Sequence, residues 1–327
     1  MKKITVIIPS YNRAETLRIC LEALSAQTFP ASGAEILIVD DGSRDNTAGV
    51  AASFIKEGAV ETRYLRQENK SPAAARNLGV KNAAGELVLF IGDDIIAAPD
   101  LLARHVAWHR DNPADGAALL GYVTWDPALE VTPFMYWLEN GGPQFGFNQL
   151  EDGAEADPRG YFYTCNISLK RRFLNEKGLF DEEFPYAAFE DSELGYRLRG
   201  AGLKLFFDRK AYAWHHHYTS LNDACGRMIK VGESRKILNR KIGLPALEPA
   251  PALIRLLLKK LKICLYYPLA KYFEKRKVSA GIFRYVMAYY YAKGRGGTPM
   301  TRPVYMNTFA ARLTRTISCT RWLIAKP

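Results

Sequence analysis

The stretch that most constrains this chain is Leu87 to Ile96, LVLFIGDDII. Five apolar residues run straight into Gly92 and the acidic pair Asp93 and Asp94, and two more apolar residues follow. Such a run fits a strand of a parallel sheet, buried on both faces and ending in solvent. Open α/β sheets bind ligands at the carboxyl ends of their strands, so the acidic pair is expected at the mouth of a cleft. Adjacent carboxylates repel each other unless a cation lies beside them, and oxygen ligands suit Mg²⁺ or Mn²⁺. A metal held by few protein carboxylates completes its shell with water and substrate phosphate.

The same design occurs earlier. Glu35 to Val39, EILIV, ends directly in Asp40, Asp41, Gly42 and Ser43. Ile4 to Ile8 reads as a first strand closed by Pro9, too short an apolar run for a signal peptide and without a cleavage pattern after it. Between these runs the spacing predicts a helix with Leu17, Cys20, Leu21 and Leu24 on one face. Asn12 is expected to cap it, with Glu15 completing a capping box. A helix from about Asn46 to Lys56, a strand at Val60 to Leu65 and a helix at Ala73 to Ala84 follow. This β-α-β-α alternation argues for a mostly parallel, doubly wound sheet whose carboxyl ends share one rim. No G-x-G-x-x-G or G-K-[ST] motif supports a dinucleotide fold or a P-loop.

Beyond Pro99 the pattern predicts a helix to about His109 and strands at Ala117 to Thr124 and Tyr161 to Leu169. The glycine-rich and aromatic segment 126–160 is too long for a plain loop and is expected to form an acceptor pocket or a lid. Residues 189–202, FEDSELGYRLRGAG, read as a helix carrying Glu190 and Asp191 in its first turn, where the helix dipole favours negative charge. Two short strands at 203–208 and 211–214 then lead to His215, His216 and His217.

The net charge of +11 comes from one end. Residues 241–327 carry 17 Lys or Arg against Glu248 and Glu274, a net of +15, which leaves residues 1–240 at −4. The high pI is therefore no nucleic-acid signal. Five scattered cysteines form neither a disulfide framework nor a zinc site and favour a reducing compartment. From Pro251 to Lys277 leucines alternate with lysines and arginines too often for a membrane span, though Pro268 is expected to break or kink the helix. Such a segment suits the surface of an anionic membrane, with a second helix near Ala280 to Lys293. A lid on the catalytic part and an oligomer contact are the competing uses of 251–293.

VIIPSYNRAETLRICLEALSAQTFP at 6–30, EILIVDDGSRDNT at 35–47, AAARNLGVKNAAGELVLFIGDD at 73–94 and FEDSELGYRLRGAG at 189–202 together resemble the inverting family 2 glycosyltransferases of the GT-A fold. The resemblance covers roughly the first 220 residues. It implies a GT-A catalytic domain over 1–240, with a nucleotide-sugar half at 1–125 and an acceptor half at 126–240. A helical basic extension then spans 241–327. It also implies a nucleotide-diphosphate sugar donor, most often a UDP-sugar, and Mn²⁺ or Mg²⁺.

By the resemblance, Pro9 and Tyr11 line the nucleotide pocket and Asp41 accepts from the base, while Asp40 supports the turn. Asp93 faces the ribose and metal shell, Asp94 ligates the metal, and His215 or His217 stands near the metal or diphosphate. Arg76 is a candidate for the donor diphosphate. Asp191 corresponds to the general base for the acceptor hydroxyl, with Glu190 its competitor. No glutamine-led Arg-Trp signature follows Asp191, and Arg321 with Trp322 lacks that context, which favours a non-processive enzyme. The expected setting is assembly of an envelope polysaccharide on a saccharide or lipid-linked acceptor, in the cytoplasm at the inner face of a bacterial membrane. Two other classes compete. A sugar-phosphate nucleotidyltransferase needs a glycine-rich basic loop near the first strand, which 6–16 lacks, and a non-catalytic membrane scaffold has no use for several separated acidic sites.

Overall fold

The computed structural model describes residues 2–243, 253–276 and 280–296, with side chains described outside 253–260. Its first half alternates strand and helix: β1 (Ile4–Ser10), α1 (Ala14–Ser25), β2 (Ala34–Asp40), α2 (Thr47–Glu57), β3 (Glu61–Arg66), α3 (Pro72–Asn82) and β4 (Leu87–Ile91). β1 pairs in parallel with both β2 and β4, and β3 extends the sheet beyond β2. Every residue of β2 and β4 is buried, which explains why their sequences run apolar without alternation. Helix α1 covers the sheet with Leu17, Cys20, Leu21 and Leu24. Helix α3 is opened by Ser71, whose hydroxyl accepts from the Ala74 N–H at 3.2 Å, with Pro72 at its first position. Its small residues Ala73, Ala74 and Ala75 are all buried and let it lie close against β1 and β2.

The second half adds β5 (Ile95–Ala97), α4 (Leu101–Asp111), β6 (Ala117–Trp125), α5 (Pro133–Asn140), β7 (Glu155–Ala156), α6 (Pro158–Tyr161), β8 (Asn166–Lys170), α7 (Arg171–Lys177), α8 (Glu190–Gly200) and β9 (Lys204–His215). The sheet order is β3-β2-β1-β4-β8-β6-β9-β5, with β7 also on β9. β8 is antiparallel to β4 and to β6, and β6 is parallel to β9. β3, β2, β1, β4, β6 and β9 therefore point one way. Their carboxyl ends bring Ser10, Asp40, Ile91, Trp125 and His215 to a common rim. β5 starts one tight turn after β4, with the Ile95 N–H donating to the Gly92 carbonyl at 3.2 Å, yet it pairs with β9 at the far end of the order. The sheet must curl to allow both, and this mixed, mostly parallel curled sheet flanked by helices is the GT-A architecture.

Several local expectations need correction. Asn12 does not cap α1: it adopts a left-handed backbone with φ 53°, and its Oδ1 accepts from the Arg44 N–H at 2.7 Å. The helix start is satisfied instead by Asp45, whose Oδ2 accepts from the Ala14 N–H at 2.9 Å, while Glu15 pairs with Arg18. The strand expected from Tyr161 begins only at Asn166, because α6 takes up Tyr161. The two pieces expected after Leu203 are one strand, carried across 208–211 by a register irregularity opposite Gly121 and Tyr122. The aromatics of 126–160 are mainly core: Phe134, Trp137 and Phe147 are buried, and Tyr136 is exposed.

Helices α9 (Leu221–Lys241), α10 (Leu253–Phe273) and α11 (Ala280–Gly294) complete the described chain. A second core joins Trp125, Phe134 and Trp137 to Met228 and Val231 of α9, Ile263 of α10 and Phe283, Val286 and Met287 of α11. Helix α10 runs through Pro268 without breaking, held on either side by buried Ile263 and Ala270. α9 and α11 cross at glycines: a Cβ on Gly232 would strike the Tyr291 carbonyl, and one on Gly294 would strike that of Ile229. Among the described residues no helix is long and apolar enough to cross a membrane. Arg321 and Trp322, and the basic residues of 297–327, lie outside the described residues.

Candidate active site

At the end of β2, Asp40 is a turn residue. Its Oδ1 accepts from the Ser43 N–H at 2.7 Å, and the Tyr64 hydroxyl donates to its Oδ2. Asp41 faces the neighbouring loop, where Oδ1 accepts from Gln67 Nε2 at 2.6 Å and from the Lys70 N–H at 2.9 Å. Beside it opens a cleft of about 530 Å³ lined by Tyr11, Gly42, Arg66, Gln67 and Asn69 among others. Tyr11 is 45% exposed on this cleft, so it is no core residue, and Pro9 behind it is half-buried. An aromatic face beside a buried carboxylate suits a flat heterocycle with N–H donors.

The acidic pair after β4 is gripped by Ser10 and Arg13. Ser10 Oγ donates to Asp93 Oδ2 at 2.7 Å. Arg13 Nη1 donates to Asp93 Oδ1 at 3.0 Å and to Asp94 Oδ2 at 2.5 Å, and its Nη2 lies 2.9 Å from His217 Nδ1. A guanidinium has no lone pair to offer, so His217 Nδ1 accepts and its proton sits on Nε2. Burial pushes His217 down to about 4, with Arg13 adding to the fall against Asp94, so this ring is neutral. Burial, then the charge of Asp94, pushes Asp93 up to about 6 against the pull of Arg13. Burial acts on Asp94 too, but His215 and Arg13 outweigh it and hold that carboxyl well below its usual range. Sequence reasoning missed Arg13. Its signal was its place one turn before an apolar helix face, opposite two carboxylates that need a cation.

The three histidines alternate as strand residues do. His215 Nε2 lies 3.4 Å and His217 Nδ1 3.8 Å from Asp94 Oδ2, whereas His216 turns away to Asp126 Oδ2 at 2.6 Å. The His216 N–H donates to the Asp94 carbonyl at 2.7 Å and ties the end of β9 to the acidic turn. His215 packs against Trp125 and Phe145, and its buried Nδ1 has no partner. The Asp94 carboxylate is an oxygen ligand of the kind that suits Mn²⁺ or Mg²⁺, with phosphate and water to complete the shell. Among the described residues no group of three or more His, Cys, Asp or Glu is placed to hold a metal ion by itself.

Across β8, Arg76 of α3 and Glu190 of α8 form a buried pair, with Nη1 donating to Oε1 at 2.8 Å and the guanidinium over the Phe180 ring. Arg76 is thus neither solvated nor turned to open space, and Glu190 is engaged. Asp191 is half-buried and, among the described residues, accepts from the Ser192 N–H at 2.6 Å and the Ser192 hydroxyl at 3.3 Å, both on Oδ1. Burial first, then the charge of Glu190, pushes its carboxyl up to about 7 against Arg76. Cys165, just before β8, lies between the two acidic centres: burial, then Asp191 and Asp94, raise its thiol to about 12. The non-glycine residues with left-handed backbone among those described are Asn12, Phe145 and Phe189. They adjoin Arg13, pack on His215, and precede Glu190, respectively, and such strain gathers at sites where geometry matters.

The profile of Glycosyl transferase family 2 matches residues 5–176, more than half of the chain, from β1 through β8. The chain belongs to this family of transferases. A validoxylamine A glucosyltransferase of Streptomyces hygroscopicus subsp. jinggangensis is 29% identical over 231 residues, 64% of this chain and 54% of its own. The chain spans about half the length of the curated relatives it first matches. Among solved structures, a mannosyltransferase of Pyrobaculum calidifontis with GDP-Man and Mn²⁺ aligns with a TM-score of 0.58 at 17% identity, over 90% of this chain and 86% of that one. TarS 1-349 of S. aureus with UDP-GlcNAc aligns with a TM-score of 0.54 at 21% identity, over 89% and 81%. At these identities the structural likeness shows the GT-A fold alone.

Proposed function

We propose that this family 2 enzyme transfers a sugar, with inversion, from a nucleotide-diphosphate donor, most often a UDP-sugar, to a hydroxyl of a saccharide or lipid-linked acceptor in envelope polysaccharide assembly. The observation that supports the reading is a shared strand-end rim with the cleft beside Asp41 and the Asp93 and Asp94 turn, together with an Asp191 carboxyl raised to about 7 whose charge, like that of Asp94, acts on Cys165. The base stacks on Tyr11 and donates to Asp41. Asp93 faces the ribose side. The acceptor hydroxyl gives its proton to Asp191 as its oxygen attacks the anomeric carbon from the face opposite the diphosphate. The new C–O bond forms as the bond to the phosphate oxygen breaks, and no covalent nucleophile is needed.

Asp94 with His215 or His217 would hold Mn²⁺ or Mg²⁺, whose chemistry at this place is to stabilise charge on the leaving diphosphate. Glu190 and Arg76 hold the start of α8 in place. Residues 1–240 serve catalysis, and 241–327 act as an extension that meets the membrane. Leu261, Leu265, Leu269 and Tyr272 form an exposed stripe on α10 beside Lys262, Lys275 and Arg276, a pattern suited to anionic headgroups. Support for a nucleotide-sugar donor also comes from the UDP-GlcNAc and GDP-Man complexes of the structural neighbours.

Titration calorimetry against UDP, GDP, dTDP and CDP, with Mn²⁺ and with chelator, tests the donor. One diphosphate is expected to bind in a metal-dependent way and to lose binding in D94A. Absence of binding for all four, also in the presence of anionic vesicles, would overturn the assignment. Flotation with anionic vesicles tests the membrane contact: L261E/L265E is expected to stay in the soluble fraction.

A further inference from the structure

Arg13 sits where the chemistry of the acidic turn calls for a cation. Three acceptors from two segments far apart in the chain converge on its guanidinium: Asp93 Oδ1 at 3.0 Å, Asp94 Oδ2 at 2.5 Å and His217 Nδ1 at 2.9 Å. Two of these, Asp94 Oδ2 and His217 Nδ1, are also lone pairs that a divalent cation at this turn would use. A lone pair accepting a guanidinium N–H cannot also ligate a metal, and the like charges of arginine and metal repel at this range. Arginine stays charged at every working pH, so the occupation does not lapse with acidity.

The placement of Arg13 also leaves it free to move. It is the residue just before α1, with a non-helical backbone, and follows the left-handed Asn12. Its side chain is 35% exposed, so it can swing toward solvent without opening the core behind β4. The segment around it is anchored by others: Asn12 to Ser43 and Arg44, and Ala14 to Asp45.

We propose that Arg13 is a built-in cation of the donor site, which holds Asp93, Asp94 and His217 together until a divalent metal, arriving with a diphosphate, displaces it. This rests on the donor-site reading above and adds an order to it. The metal alone must compete with Arg13 for Asp94 and His217. A diphosphate offers the displaced guanidinium a new bidentate partner, so metal and diphosphate each strengthen the binding of the other. The arginine thereby couples metal loading to donor arrival.

The test measures Mn²⁺ binding by electron paramagnetic resonance on the full chain, first with Mn²⁺ alone and then with UDP or the diphosphate that calorimetry selects. R13M is expected to bind Mn²⁺ alone at least tenfold more tightly than the native protein, and the gain in Mn²⁺ affinity on adding diphosphate is expected to shrink from native to R13M. R13K, which keeps a positive charge, is expected to stay near the native value. D94N is expected to abolish binding in either background, and a two-state melt confirms that each variant is folded. Equal or weaker Mn²⁺ binding by folded R13M would overturn the proposal. Failure of every diphosphate to bind the native protein would overturn the donor reading instead, and the Mn²⁺-alone comparison of native and R13M would still decide whether Arg13 guards the acidic turn.

Discussion

Arg76 Nη1 donates to Glu190 Oε1 at 2.8 Å, and the two side chains are 8% and 2% exposed, so a charge on α3 and a charge on α8 neutralise each other inside the protein. Arg76 Nε and Glu190 Oε2 have no partner, which leaves the pair dependent on this contact. Removing one member strands the other. R76A is expected to lose about 3–5 kcal/mol of stability, read from urea unfolding, whereas exchanging both for apolar residues of similar volume costs far less. The same loss removes the positive charge that restrains Asp191, so any remaining activity of R76A is expected to shift to higher pH.

As the proposed base, Asp191 is expected to set the acid limb of activity. Its carboxyl lies at about 7 and must be ionised to take a proton, so kcat/KM is expected to rise as pH increases through about 7 and then level off. D191N is expected to lose about 10²–10⁴-fold in rate and with it this limb. The stability effect has the opposite sense. A carboxyl raised above its unfolded value binds its proton more tightly when folded, so its contribution is full below about 4 and is lost as pH rises through about 7. Thermal melts of native protein and D191N between those limits check it, since the variant is expected to show a flatter profile.

Tyr11 offers a cleaner test of the nucleotide cleft than any buried residue, because it is 45% exposed and holds nothing in the core. Y11A is expected to weaken nucleoside diphosphate binding by about 1–3 kcal/mol, the range for an aromatic under a base. Its melting temperature is expected to stay near native, as for surface changes generally.

The glycine crossing of α9 and α11 lies within the second core. G232L places a side chain against the Tyr291 carbonyl and is expected to cost about 1–3 kcal/mol by overpacking. Limited proteolysis is expected to cut more readily within 280–296, with nucleotide binding kept, since the cleft beside Asp41 belongs to the first core.

The first ninety residues were legible because their information is local. A strand buried on both faces must be apolar throughout, as Ile36 to Val39 and Val88 to Ile91 are, and carboxylates at such strand ends point to the ligand rim. The part of the sheet beyond β5 was less legible. β8 is inserted antiparallel between β4 and β6, and β7, β8 and β9 acquire their pairing from segments far away in the chain. Short strands of that kind carry little periodicity of their own.

What the sequence by itself determined is the family, the parallel β-α order of the first ninety residues, and the identity of Asp41, Asp93, Asp94 and Asp191 as acids worth attention. These follow from patterns a few residues long, where burial and charge leave a direct trace. What only the tertiary structure decided is which groups meet. Arg13 closes on Asp94 from 81 positions away and His217 closes on Arg13 from 204 positions away, while Arg76 is taken by Glu190 across 114. A charge chooses its partner by distance in space, and the curl of the sheet that sets those distances is a property of the whole chain.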